Sequence, residues 1–321
     1  MPNVRLVRAF GITNTFVSSS VDVHAAFTRA ARGLIAGNDW ERFAQCALLA
    51  VDRCLEDIPL GATARFDTLV QNISLLTILA GLFEVSPYDV TVADLAVVAH
   101  GINSLWKLSK TTDTLPPHML ADVNTRLRAW IGPSQPNPVD FIVPAWETMW
   151  RVVATTLAYT HADPLARAAL HAFIVDPTAT AFALSIADMP SVDALVTEAV
   201  RLHPPTRRIS RHLTSTSDPF AAPCVVVADI GALHRDPAIW GTDADVYNPL
   251  RHQQRTPEQA AALLGFGAGT LKCVASRWAP HAAGVIVAAL AEKIGEGIEV
   301  TEGEGIGGRD GWGGWEVTRS A

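Results

Sequence analysis

The chain has 321 residues, of which 49% are hydrophobic and only 18% charged, enough apolar material for one large core or two smaller ones. Its formal net charge is −7, with no basic stripe of the kind that neutralises a phosphate backbone, so nucleic acid is excluded as an expected partner. The four cysteines, Cys46, Cys54, Cys224 and Cys273, form no C-x-x-C pair, which argues against a zinc knuckle or a disulfide framework and fits a reducing compartment.

From the N-terminus, residues 1–16 carry Arg5 and Arg8 but no unbroken apolar run, so a soluble, cytoplasmic protein without signal peptide or membrane anchor is expected. Between Val21 and Ser109 the apolar residues recur at helical spacing, as in Phe43, Cys46, Ala47 and Ala50, and predict several packed helices. Pro116, Pro117, Pro133 and Pro136 break the next stretch into a connector with one short helix from His118 to Trp130. A long helix is predicted from Asp140 to Tyr159, followed by helices near Leu165–Ile174 and Ser191–Leu202, the last stopped by Pro204 and Pro205. Residues 208–228 favour extended chain, with Val225 to Val227 the best short strand. Helix resumes from Val274 to Lys293, and a glycine-rich tail from Gly295 ends in short strands.

The most specific signal is Phe266-Gly-Ala-Gly-Thr-Leu-Lys-Cys273-Val-Ala, directly ahead of that alanine- and valine-rich helix. Glycines at 267 and 269 allow the backbone to run flat and close against a planar ligand. A helix starting just after Cys273 would favour the thiolate, the form that binds metal. The plain alternative is an ordinary tight turn with Cys273 as a small buried hydrophobe. A dinucleotide loop is the poorer rival, since no third glycine follows at the required spacing and no strand-type run precedes.

This stretch resembles the haem-binding loop of the cytochrome P450 family, Phe-x-x-Gly-x-x-x-Cys-x-Gly/Ala. Two further segments are similar to that family: Glu198-Ala-Val-Arg201-Leu-His-Pro-Pro205 and Asp245-Val-Tyr-Asn-Pro-Leu-Arg251. The resemblance implies a mainly α fold with small β-sheets, reduced on its N-terminal side. It implies one haem domain over 1–321, with a reduced helical part at 1–139, a core at 140–294 and a tail at 295–321. It implies haem b (iron-protoporphyrin IX), ligated through Cys273 and lined by Phe266, Gly267 and Gly269, and a structural network of Glu198, Arg201 and Arg251. Thiolate ligation pushes electron density onto the iron and promotes O–O cleavage.

The resemblance also implies a propionate contact from Arg211, for which the alternative is a solvated strand arginine. It implies a similar contact from the helix at His24, where the family's arginine position holds Thr28 and Arg29 or Arg32 would serve instead; the alternative is an amphipathic helix with solvated arginines. Leu271 stands where the family often has a basic residue, and Lys272 is a candidate substitute. Glu147 and Thr148 match the acid–alcohol pair that relays protons to bound dioxygen. Pro144-Ala-Trp146 precedes that pair where the family has Ala-Gly, so Pro144 either kinks the helix or starts it, and Trp146 could narrow the pocket.

Too little chain precedes Asp140 for the whole N-terminal part and substrate lid of that family, so a homodimer or partner subunit would cover the opening. The expected function is monooxygenation of a hydrophobic small molecule in secondary metabolism, with an electron-donor reductase docking near Lys272 and Arg277. The alternatives are a donor-independent haem-thiolate peroxygenase, isomerase or cyclase, and a non-catalytic remnant acting by binding.

Overall fold

In a computed structural model of the chain, the described residues are 3–37, 39–111, 114–135, 137–213 and 224–320. Pro136 and residues 214–223, the middle of the expected extended segment, lie outside them.

Helix α1 (Val4–Phe10) is followed by α2 (Val21–Ala36) and α3 (Trp40–Glu56). A three-residue strand, β1 (Thr63–Arg65), leads into α4 (Phe66–Phe83), then α5 (Val92–Thr111) and α6 (Pro117–Ile131). Side chains set several of these starts: Ser20 caps α2, and Asp39 accepts from the Glu41 and Arg42 amides at 3.0 and 3.3 Å. Helix α4 is buried on nearly every side, with α3, α5 and later helices packed around it, and is correspondingly apolar along most of its length. It is long and apolar enough to cross a membrane, but 78% of it is buried inside the fold.

The helix expected over 140–159 is instead two, α7 (Val139–Trp146) and α8 (Met149–Thr160), with a break at Glu147 and Thr148. Pro144 lies inside α7; lacking an N–H, it removes a rung of the hydrogen-bond ladder just before the break. Next come α9 (Pro164–Val175), α10 (Ala179–Ala183) and α11 (Val192–Leu202), each capped by the preceding Asp163, Thr178 or Ser191.

Strands β2 (Arg208–Leu213) and β3 (Cys224–Asp229) form an antiparallel pair with Arg211 opposite Val226. After the short helices α12 (Ile230–Leu233), α13 (Pro237–Trp240) and α14 (Pro257–Ala262), the chain enters the cysteine loop and then α15 (Trp278–Ala291). The last strands, β4 (Ile298–Thr301) and β5 (Glu316–Arg319), join β1 in a sheet of order β1-β5-β4. Val317 pairs there with Ala64 on one side and Val300 on the other.

Helix α15 lies at the centre, packed against α3, α8, α9 and α11, while α4 packs on α3, α5 and α8. One continuous apolar core runs from Leu6 through these helices to Val317. Its residues are interior on every face of α15, from Ala282 to Leu290. The mainly α architecture with small antiparallel sheets agrees with the expected fold class.

Candidate functional site

The site rests on a buried ionic cluster on α11. Glu198 and Arg201, one turn apart, have fully buried side chains. Arg201 Nε and Nη2 donate to the two Glu198 oxygens at 2.7 and 2.8 Å. Its remaining N–H groups reach the carbonyls of His234, Ala244 and Val246, so all five donors of the guanidinium are used. Arg251 Nε joins Glu198 at 2.9 Å and its Nη2 holds Asp243 at 2.9 Å. The structure thus brings Glu198, Arg201 and Arg251 together. It adds a fourth member that the sequence reading missed: His252 Nε2 lies 2.8 Å from Glu198 Oε2. Burial alone would raise the Glu198 pKa, but the Arg201 and His252 hydrogen bonds outweigh it and hold it down at about 2.

His234 carries this cluster to the cysteine loop. Its Nδ1 lies 3.0 Å from the Arg201 carbonyl, which can only accept, so Nδ1 bears the proton. Nε2 is then free to accept from the Leu264 N–H at 3.0 Å. Burial lowers the His234 pKa and favours this neutral form. The loop is pressed onto α11 at the same point, where a Cβ on Gly265 would come within 2.5 Å of Val200.

Within the loop, Gly267 and Gly269 take φ +70 and +68, a region that suits glycine. The Cys273 amide closes the turn by donating to the Phe266 carbonyl at 2.9 Å, and Phe266 packs half-buried against the core. Strand β2 borders the loop through Ile209, which a Cβ on Gly267 would touch at 3.8 Å. Cys273 is exposed. Protein around its sulfur pushes the thiol pKa up, while the Ala275 N–H, hydrogen-bonded to it, pulls the other way.

The expected helix start just after Cys273 is corrected: residues 274–277 form turns, and α15 begins at Trp278. Pro280 explains the delay, because proline is tolerated in a first turn and not further in. The donor that hydrogen-bonds the sulfur is therefore the Ala275 amide and not a helix end.

Arg211 lies exposed on β2, with Nη1 on its neighbour's carbonyl at Ser210, 3.1 Å away. On α2, which buries no residue, Arg29 is exposed and His24 Nδ1 is hydrogen-bonded to Thr15 Oγ1. The structure gives Arg211, His24 and Arg29 no contact with Cys273. Among the described residues no cluster of three or more His, Cys, Asp and Glu side chains could hold a bare metal ion. A single accessible thiol beside two permissive glycines suits an iron that arrives with its in-plane ligands supplied, as in a porphyrin. The residues present therefore fit haem.

At the helix break, Glu147 is buried between two arginines. Arg151 donates from Nη2 to Oε2 at 2.9 Å and from Nε to the Glu147 carbonyl at 3.1 Å. Arg309, from the loop between β4 and β5, donates to Oε1. Burial pushes the Arg309 guanidinium down to about 10. Thr148 is half-buried beside it. Trp146 does not narrow a cavity: it is buried, with its indole N–H on the Gln71 carbonyl of α4 at 3.0 Å. Arg151 had a signal in the sequence, one turn after Glu147 on the same helix face. Arg309 had none beyond its place in a glycine-rich tail.

A family profile described as Cytochrome P450 matches residues 178–292, the stretch that holds the ionic cluster and the cysteine loop. "Cytochrome P450 81D1" of Arabidopsis thaliana is 30% identical over 132 residues, 38% of this chain and 26% of that protein. "Isoflavone 3'-hydroxylase" of Medicago truncatula is 26% identical over 132 residues, with the same shares. The matched stretch thus spans about a quarter of the length of these curated relatives. Among solved structures, the haem domain of a cytochrome P450DA mutant superposes with TM-score 0.64 at 17% identity, covering 98% of this chain and 78% of that one.

Proposed function

We propose that this chain, which belongs to the cytochrome P450 superfamily, is a haem-thiolate monooxygenase that oxidises a hydrophobic small molecule in secondary metabolism. The observation that carries the reading is Cys273, exposed on a glycine loop that His234 ties to the Glu198–Arg201–Arg251 cluster. Haem held by that thiolate supplies the activation of dioxygen.

The chain's own residues do the rest. Phe266, whose carbonyl closes the turn on the Cys273 amide, anchors the loop to the core, and Gly267 and Gly269 keep the loop backbone free of Cβ atoms. The Ala275 N–H hydrogen-bonds the sulfur and stabilises its anionic form. Arg211, with most of its donors free of partners among the described residues, is the cation offered to a propionate. Lys272 and Arg277, both exposed, give the cysteine side positive charge on which an acidic electron donor would dock.

The purified protein, loaded with haemin, reduced and exposed to carbon monoxide, should show the strongly red-shifted main band of thiolate ligation. In Cys273→Ala that band should vanish; its persistence would end the ligand assignment.

One observation favours a second, donor-independent reading. Both Glu147 oxygens are occupied by guanidinium donors, which leaves this carboxylate poorly placed to pass protons along with Thr148. Turnover with peroxide and no reductase, undiminished in Thr148→Ala, would select that reading over the reductase-dependent one.

A further inference from the structure

The helix break gathers more positive charge than it neutralises. Arg151 and Arg309 share Glu147, and the guanidinium of Arg309 lies 4.8 Å from the Trp106 ring centroid. Arg5, from α1, lies over the same ring at 5.1 Å and is held there by an Nη1 hydrogen bond to Ser109 Oγ at 2.8 Å. Lys110 follows Trp106 by one turn of α5. Asp310, the other acid close by, is taken by Lys107 at 2.6 Å. Arg5 and Lys110 have no carboxylate of their own among the described residues. Partial desolvation, with Arg309 and Arg5 as neighbours, lowers the Lys110 pKa although its side chain still reaches solvent, and the Arg309 Nε is buried without a partner.

Partly desolvated like charges repel, and in a chain of net charge −7 such a cluster does not follow from overall composition. What would offset it is an anion. The half-buried indole of Trp106 adds an apolar surface directly beside the cations, backed at 6.1 Å by the buried Phe10 ring.

We propose that Arg5, Lys110 and Arg309 around Trp106 bind the carboxylate of an amphipathic small molecule, whose apolar body lies on the indole. This names a substrate class for the reading above and rests on it. A planar carboxylate matches guanidinium donors as Glu147 already does, whereas inorganic phosphate would make no use of the aromatic wall.

The test is calorimetric titration of the haem-loaded protein with phenylbutyrate, with the matched alcohol phenylbutanol and with inorganic phosphate. The acid should bind at least about tenfold more tightly than the alcohol and weaken as salt is raised. Lys110→Gln should cost the acid about tenfold and leave the alcohol unchanged, while Lys110→Arg restores acid binding. Lys110 is exposed, so Lys110→Gln should keep the fold, and circular dichroism checks it. If Lys110 served only the carboxyl end of α5, its loss would change stability and not the acid-to-alcohol ratio. Equal affinity for acid and alcohol, displacement of the acid by phosphate, or no effect of Lys110→Gln would each overturn the proposal. Acid binding is read as heat, so it is recorded even where no red-shifted carbon monoxide band forms; that outcome would sink the haem assignment alone.

Discussion

Glu198 is the residue on which most of the site's polar geometry converges. It accepts from Arg201, Arg251, His252 and the Asn248 amide with its own side chain fully buried. Glu198→Gln keeps the shape but removes the charge that two buried guanidinium groups face. The expected loss is about 3–5 kcal/mol, the cost of leaving buried charge uncompensated. Urea denaturation measures it, and a loss below about 1 kcal/mol would show the cluster to be dispensable for stability. Glu198, Arg201, Arg251 and the cysteine loop were legible because their chemistry fixes residue identity at fixed local spacing. His234 and His252 were not, since a histidine has no periodic signature and its partners, Leu264 and Glu198, come from other parts of the chain. Arg309 escaped for the same reason, meeting Glu147 from 162 residues away.

At the scale of elements, the helices were legible where apolar periodicity was strong, and their ends were less so. The break between α7 and α8 and the late start of α15 both trace to a proline, Pro144 and Pro280, whose effect depends on its place within the turn. Strand β1, three residues long, is too short to show any alternation. The contact of α3 with α4 offers a test of packing: a Cβ on Gly81 would fall 2.4 and 2.5 Å from Phe43 ring atoms. Phe43 cannot simply yield, because Trp40 and Trp278 hold its ring edge-on from 5.8 and 5.6 Å. Gly81→Ala gains up to about 1 kcal/mol of helix propensity and loses about 1–3 kcal/mol to overpacking. The net effect should be destabilising, and a midpoint in urea equal to or above that of the parent would show that the two helices have room to separate.

For the whole molecule, acid response follows from which buried groups titrate first. Burial lowers His203, to about 4, and also His234 and His281. Arg235 and Arg207 push His203 in the same direction. A histidine with a folded pKa below its unfolded value near 6.5 contributes stability above that value, and the contribution is lost as pH falls towards the folded pKa. Glu198, held at about 2, keeps its contribution until pH drops below its unfolded value of 4.5. Stability should therefore fall between about pH 6.5 and pH 4 while the ionic cluster is still intact. Urea midpoints across that range should show the slope, shallower in His203→Gln; a flat profile would mean that these rings are solvated.

The sheet of β1, β5 and β4 has a temporal meaning as well. Strand β5 lies between the two others, so β1 has no strand partner until residues 316–319 exist. The loop between β4 and β5 also delivers the arginine that closes on Glu147. A nascent chain can assemble its helices as they emerge from the ribosome, yet its central carboxylate waits half-paired and its first strand unmatched until residues 309–319 have been made. Formation of β5 is thus a late step in building the site, and a chain stopped before residue 309 would carry the cysteine loop without the second guanidinium on Glu147.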